Sequence, residues 1–277
     1  MRRRRLLPAL LALVAVVALV GAVLVGRAGS SSHAARAAVT PAPSAPLSPV
    51  TEEPKPQVAP GPVCRPGRTV TLESSRIAYA ATVVHHAVAY TRPGGARIAR
   101  FGALNVNGVR TVFGVLGARV DASCKAVWYR VQLPMRPNGR TGWVRASAVS
   151  ARRVRTRIVV DLSARRVTLF RGGRPILVVT AAIGSPSTPT PTGRYYVNQK
   201  LVAPDPWGAF GPVALGISAF SPVLKSWAEG GPIAIHGTNE ATLLGSAVSH
   251  GCIRVSNSDD LRLYKLAPTG TPVLIRM

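Results

Sequence analysis

The chain has 277 residues, room for two small domains and a tail. Its 26 glycines, 24 prolines and 5% aromatic content favour turns, linkers and β structure over helix bundles. A net charge of +25 comes from dispersed residues, mostly arginine. With no basic helix and no interleaving of aromatic and basic residues, this pattern argues against nucleic acid and for anionic envelope polymers or phospholipid headgroups.

In chain order, Arg2–Arg5 precede an uncharged apolar run, Leu6–Gly26, closed by Arg27. Such a run spans about 31 Å as a helix, enough to cross a bilayer. The small-residue stretch His33–Ala38 leaves signal cleavage open. Residues 1–27 are read as a membrane anchor or signal segment, with an uncleaved anchor favoured. The arginines then lie in the cytoplasm and the rest of the chain outside, facing the cell wall, or secreted if the segment is cleaved. Residues 28–64 form a Pro/Ala-rich linker whose extended reach is on the order of 100 Å.

Residues 65–152 alternate short β-rich runs with Gly turns, as in WYRVQLP, the turn Arg136–Gly139 and TGWVRASAV. His85 and His86 are adjacent on an expected strand, which predicts one buried and one solvated ring rather than a metal pair. Cys64 and Cys124 are a candidate disulfide, leaving Cys252 as the odd thiol.

Residues 155–277 open with three expected antiparallel strands, 157–162, 166–170 and 175–183. A Pro/Thr-rich loop (185–193), a strand (194–199) and a loop carrying Trp207 follow. A short buried strand, 231–235, then delivers His236. Residues 256–266 read as a helix capped by the NSDD stretch, and 271–276 as the closing strand.

The segment from His236 to Cys252, HGTNEATLLGSAVSHGC, concentrates the chemistry. A thiol with an ordinary pKa of about 8.5 needs an imidazole or a positive charge to act as a nucleophile. His236, arriving on a neighbouring strand end, is the first choice as base; His250 is the alternative. Gly251 permits a tight turn in which the Gly251 and Cys252 amides aim at one carbonyl oxygen. Arg254 is placed to stabilise an oxyanion or bind a substrate carboxylate. A metal site built from His236, His250 and Cys252 has too few ligands at unfamiliar spacing.

Two resemblances organise these readings. The WYRVQLP…NGRTGWVRASAV pattern resembles bacterial SH3-like domains, which implies wall contact or positioning. IAIHGT…SHGCIRVSN, with TPTG and VDLSxxRVTLF upstream, resembles the L,D-transpeptidase (YkuD) catalytic domain. The implied fold is mainly β: an SH3-like small barrel, then a YkuD-type β-sandwich catalytic domain with a short helix. The resemblance implies Cys252 as nucleophile, His236 as general base, and Gly237 as the carbonyl that orients the imidazole. Ser249, His250, Gly251 and Arg254 shape the cleft and oxyanion hole, and Thr238 and Trp207 touch substrate. Glu240 falls in a stretch that varies among relatives.

The implied substrates are peptidoglycan stem peptides, both donor and acceptor, joined as 3→3 cross-links without cofactor or metal. Water as acceptor would make the protein an L,D-carboxypeptidase. A wall-binding SH3-like protein without activity is a weaker reading, because every motif position is filled. Sortases space their histidine and arginine farther from the cysteine. NlpC/P60 peptidases need a histidine after the cysteine, and this chain has none after Cys252.

Overall fold

A computed structural model describes residues 65–226 and 231–277. The anchor or signal segment 1–27, the linker 28–64 and Cys64 lie outside these residues. Among the described residues no helix is long and apolar enough to cross a membrane. Cys124 is disulfide-bonded, and Cys252 is a free thiol.

Two β modules follow one another. The first holds β1 (Thr69–Thr71), β2 (Ala78–Val83), β3 (His86–Tyr90), β4 (Arg97–Gly102), β5 (Val112–Val120), β6 (Ala126–Gln132), β7 (Thr141–Arg145) and β8 (Val149–Val154). Their ladder runs β4-β3-β7-β6-β5-β2-β8, with β1 paired to β5. Alanine, valine and Phe113 fill its core, and Phe101 meets the Phe113 ring edge-on. His85 and His86 correct the sequence reading: both are exposed, because the chain turns between β2 and β3 at this pair instead of running on as one strand.

The second module holds β9 (Thr156–Asp161), β10 (Arg166–Arg171), β11 (Arg174–Thr180), β12 (Ile183–Gly184), β13 (Gly193–Val202), β14 (Val213–Phe220), β15 (Pro232–His236), β16 (Ala247–Ser249), β17 (Ile253–Arg254), helix α1 (Asn257–Leu266) and β18 (Pro272–Arg276). The expected meander is present, since β9, β10 and β11 pair in sequence at one end of an eight-stranded ladder. The ladder continues β18-β13-β14-β15-β17, while β12 and β16 form a small parallel pair. Val167, Leu169 and Leu177 at one end share a single buried cluster with Ile233, Ile235 and Ile253 at the other, so the ladder folds over one core. Strand β14 was not expected. It is buried on both faces and interrupted by Gly216, so it lacks the alternation that marks a half-exposed strand.

The modules dock closely. Tyr196 of β13 is buried, donates its hydroxyl to Val112 O at 3.1 Å, and lies over Gly114, where a Cβ would sit 2.9 Å from the ring. Asn105 and Asn107 both donate to the Gln199 side chain, and Gln132 donates to Arg194 O. The expected turn at Arg136–Gly139 does more than reverse the chain. Asn138 exchanges two hydrogen bonds with the Phe220 backbone, at 2.8 and 2.9 Å, and Arg136 donates to Ser221 O.

Candidate active site

The site is built where β15 and β17 run parallel. Ile235 faces Ile253 and His236 faces Arg254, so Cys252, just before β17, falls opposite Ala234. Side chains alternate between faces along a strand. Ile233, Ile235, Ile253 and Val255 enter the core, whereas Ala234, His236, Cys252 and Arg254 share the opposite face. The half-buried Cys252 sulfur rests on β15: the Ala234 amide favours its thiolate, and Pro232 O lies 4.0 Å away.

His236 is 2% exposed, and its Nδ1 lies 2.6 Å from Gly237 O. A carbonyl only accepts, so Nδ1 carries the proton and the lone pair of the neutral ring is on Nε2. Burial draws the imidazole pKa down to about 4; the Arg254 charge adds to this, while the Gly237 and Phe210 carbonyls resist it. Burial also raises the Cys252 thiol above its ordinary value, against the pull of the Ala234 amide and Arg254. The resting pair at neutral pH is therefore thiol and neutral imidazole, an arrangement for proton transfer during attack rather than a preformed ion pair.

The turn before Cys252 is held from two sides. Ser249 Oγ accepts from Gly251 N–H at 3.1 Å and donates to Cys252 O at 2.6 Å. This corrects the expectation that the Gly251 amide faces the cleft, because Ser249 already occupies it. Gly251 itself has φ +112, a backbone conformation that favours glycine, and a Cβ there would press on Ile233 Cδ1 at 3.0 Å. The Pro/Thr loop supplies the second support. Thr188 Oγ1 donates to Ser249 O and Thr190 Oγ1 to Gly251 O, both at 2.9 Å. In sequence both threonines show only as members of the Pro/Thr-rich loop 185–193, Thr190 also within TPTG.

His250 is exposed. Thr238 is 4% exposed, and its hydroxyl accepts from Glu240 N–H, so it shapes the loop from inside rather than presenting a group to substrate. Trp207 is exposed on its loop; the aromatic beside His236 is Phe210, its ring centroid 5.1 Å from that of the imidazole. Arg254 donates to Glu240 Oε2 at 2.7 Å, while its buried Nε has no partner. Among the described residues no cluster of three or more His, Cys, Asp or Glu side chains suits a metal ion.

A thiol and a neutral imidazole on one face of adjacent strands, with an arginine beside them, define a thiol-dependent site of the acyl-transfer kind. Residues 155–275 match the YkuD family model, the L,D-transpeptidase catalytic domain. Over 119 residues the chain is 35% identical to "Putative L,D-transpeptidase YkuD" of Bacillus licheniformis, and over 118 residues 35% identical to the Bacillus subtilis protein of that name. Each match covers 43% of this chain, which spans 64% of the length of these relatives. A crystal structure of L,D-transpeptidase 3 from Mycobacterium tuberculosis with a faropenem-derived adduct is also similar. It is 21% identical, with a TM-score of 0.38, covering 50% of this chain and 73% of that one. Over residues 155–275 the second module is thus similar to the L,D-transpeptidase catalytic domain.

Proposed function

We propose that the protein is a peptidoglycan L,D-transpeptidase that forms 3→3 cross-links through a Cys252 thioester. The observation that carries this reading is the shared face of Cys252 and a neutral His236 whose Nδ1 proton is committed to Gly237 O. As Cys252 Sγ attacks the carbonyl of the third stem residue, Nε2 takes the thiol proton and passes it to the amine of the departing D-alanine. The side-chain amine of a second stem's diamino acid then attacks the thioester. It loses a proton to His236, an amide forms, and the thiol is regenerated. Cys252's own amide is the donor for the oxyanion, since that of Gly251 is held by Ser249. Arg254 adds positive charge at the same face.

In this reading residues 1–27 hold the protein at the membrane, and the linker lets it stand off toward the wall. The first module is an SH3-like positioning domain. Incubation with meropenem followed by intact-mass analysis tests the chemistry: one adduct in the native chain, none in Cys252→Ala. Absence of an adduct from the native chain would sink the thioester mechanism. Muropeptide analysis of cells overproducing the protein tests the product, and a wall without added 3→3 dimers would refute transpeptidation.

A further inference from the structure

One buried ionisable group has no part in this mechanism. Asp260, in the first turn of α1, is fully buried, and neither carboxylate oxygen closes a hydrogen bond of good geometry. The amides of Gly237 and Val213 nonetheless lie close enough to favour its ionised form. A buried carboxylate left short of partners is costly, so its retention needs a reason. Three residues earlier on the same helix face, Asn257 Oδ1 accepts from Thr238 N–H at 2.8 Å.

These contacts fall on consecutive peptide units. The amide of the 236–237 unit faces Asp260. The 237–238 unit gives its N–H to Asn257 and its carbonyl to His236 Nδ1, so donation at one end polarises the acceptor at the other. The fit has no slack: a Cβ on Gly237 would lie 2.2 Å from Asn257 Oδ1, and one on Gly211 2.5 Å from the same atom.

We infer that Asp260, with Asn257, is a positioning residue for the base: the first turn of α1 grips the two peptide units from which the His236 ring hangs, fixing its tautomer and its angle to the thiol. This rests on His236 being the base of the proposed reaction. Burial pushes Asp260 up to about 7, so the gripping, ionised form gains as pH rises through neutrality. Strand β14, packed on α1, brings no ionisable side chain, and β15 brings only His236. Lys200 of β13 reaches the helix at Tyr264 O, Arg254 stands on β17, and Asp259 is engaged by Ser256 and Arg262.

The test uses the full chain and the variants Asp260→Asn and Asn257→Ala. The first measurement is solvent exchange of the His236 Nδ1 proton by NMR, which needs no activity. Exchange about tenfold faster in both variants is expected from losing the Asp260 charge near the Gly237 amide or the Asn257 hydrogen bond to Thr238. The second is meropenem acylation against pH. The native rate should rise through about pH 7, and Asp260→Asn should lack that rise, with a limiting rate about tenfold lower and unchanged half-saturation. Unchanged proton exchange in the folded variants overturns the inference whether or not the native chain acylates. A native chain with a protected Nδ1 proton but no adduct overturns the transpeptidase reading instead. Should Asp260→Asn fail to fold, Asp260→Ser carries the same two measurements.

Discussion

The two modules are made of the same element and spend it differently. In the first, the buried polar side chains are Thr111 and Gln132, and Gln132 serves the boundary with its neighbour. In the second, Thr156, Gln199, Ser218, Ser221 and Thr271 are buried elsewhere, and His236, Thr238, Ser249, Thr190 and Asp260 are buried around the corner where β15, β17 and α1 meet. Buried polarity is costly unless satisfied. Half of it gathers near Cys252, in the corner where stability is exchanged for orientation, while the core of the first module stays almost wholly apolar.

The largest expected effect tests whether that corner is the chemical centre. Cys252→Ala should abolish covalent capture of meropenem while leaving the melting temperature near that of the native chain, since the side chain is small and half-buried. Residual adduct would move the chemistry elsewhere. His236→Gln should slow acylation by roughly 10²–10⁴-fold, the usual range for a general base. Because the ring already sits at about 4, Asp260→Asn, which lacks the rise through about pH 7, should keep its rate between about pH 7 and 5, with the acid limb of the imidazole appearing only near 4. A limb centred on 6.5 would mean that the imidazole is not buried in its working state.

Stability against pH probes the second module's corner more finely. His236 titrates at about 4 in the fold, below its ordinary 6.5. Between those values the unfolded chain binds a proton that the native state refuses, so stability rises with pH, by about 3 kcal/mol. Asp260 works in reverse: at about 7 in the fold against an ordinary 3.8, it holds a proton that the unfolded chain has released. Its contribution therefore falls as pH rises across that window, by about 4 kcal/mol. From about pH 4 to 6.5 the two slopes oppose, and the native chain should be nearly flat with respect to this pair. Urea unfolding at intervals across that range should show His236→Gln losing stability as pH rises and Asp260→Asn gaining it. Flat profiles for both variants would show that neither group is held neutral by burial.

How much of this was legible in sequence follows the same division. The meander β9–β11 is readable because its strands alternate and the turn between β10 and β11 carries Gly172 and Gly173, and the helix because Ser256 and the acids after it form an N-terminal cap. The HGT and SHGC motifs located the thiol and the ring. Strand β14 was not legible, since burial on both faces erases periodicity. Nor were Phe210, Glu240, Asn257 or Asp260 as neighbours of the site, because each gains its role from a contact across the fold and none from local spacing. Ser249 was read as part of the cleft, but its hold on the Gly251 amide depends on a turn geometry that residue types alone do not specify.

The smallest effect bears on the boundary between the modules. Asn138 satisfies both the N–H and the carbonyl of Phe220 at the end of β14, the strand against which β15 is registered. Asn138→Ala leaves both part-buried backbone groups short of partners, at a cost of about 1–2 kcal/mol. The Tyr196–Val112 bond and the Gln199 contacts remain, so unfolding should stay a single transition with a lower midpoint and an unchanged slope. Acylation should slow less than for any variant inside the corner, because Phe220 pairs with Pro232, four residues before His236. A split into two transitions would mean that the modules are stable independently and that Asn138 was their main tie. A rate loss as large as that of His236→Gln would mean that the first module, for all its apolar plainness, sets the geometry of the site.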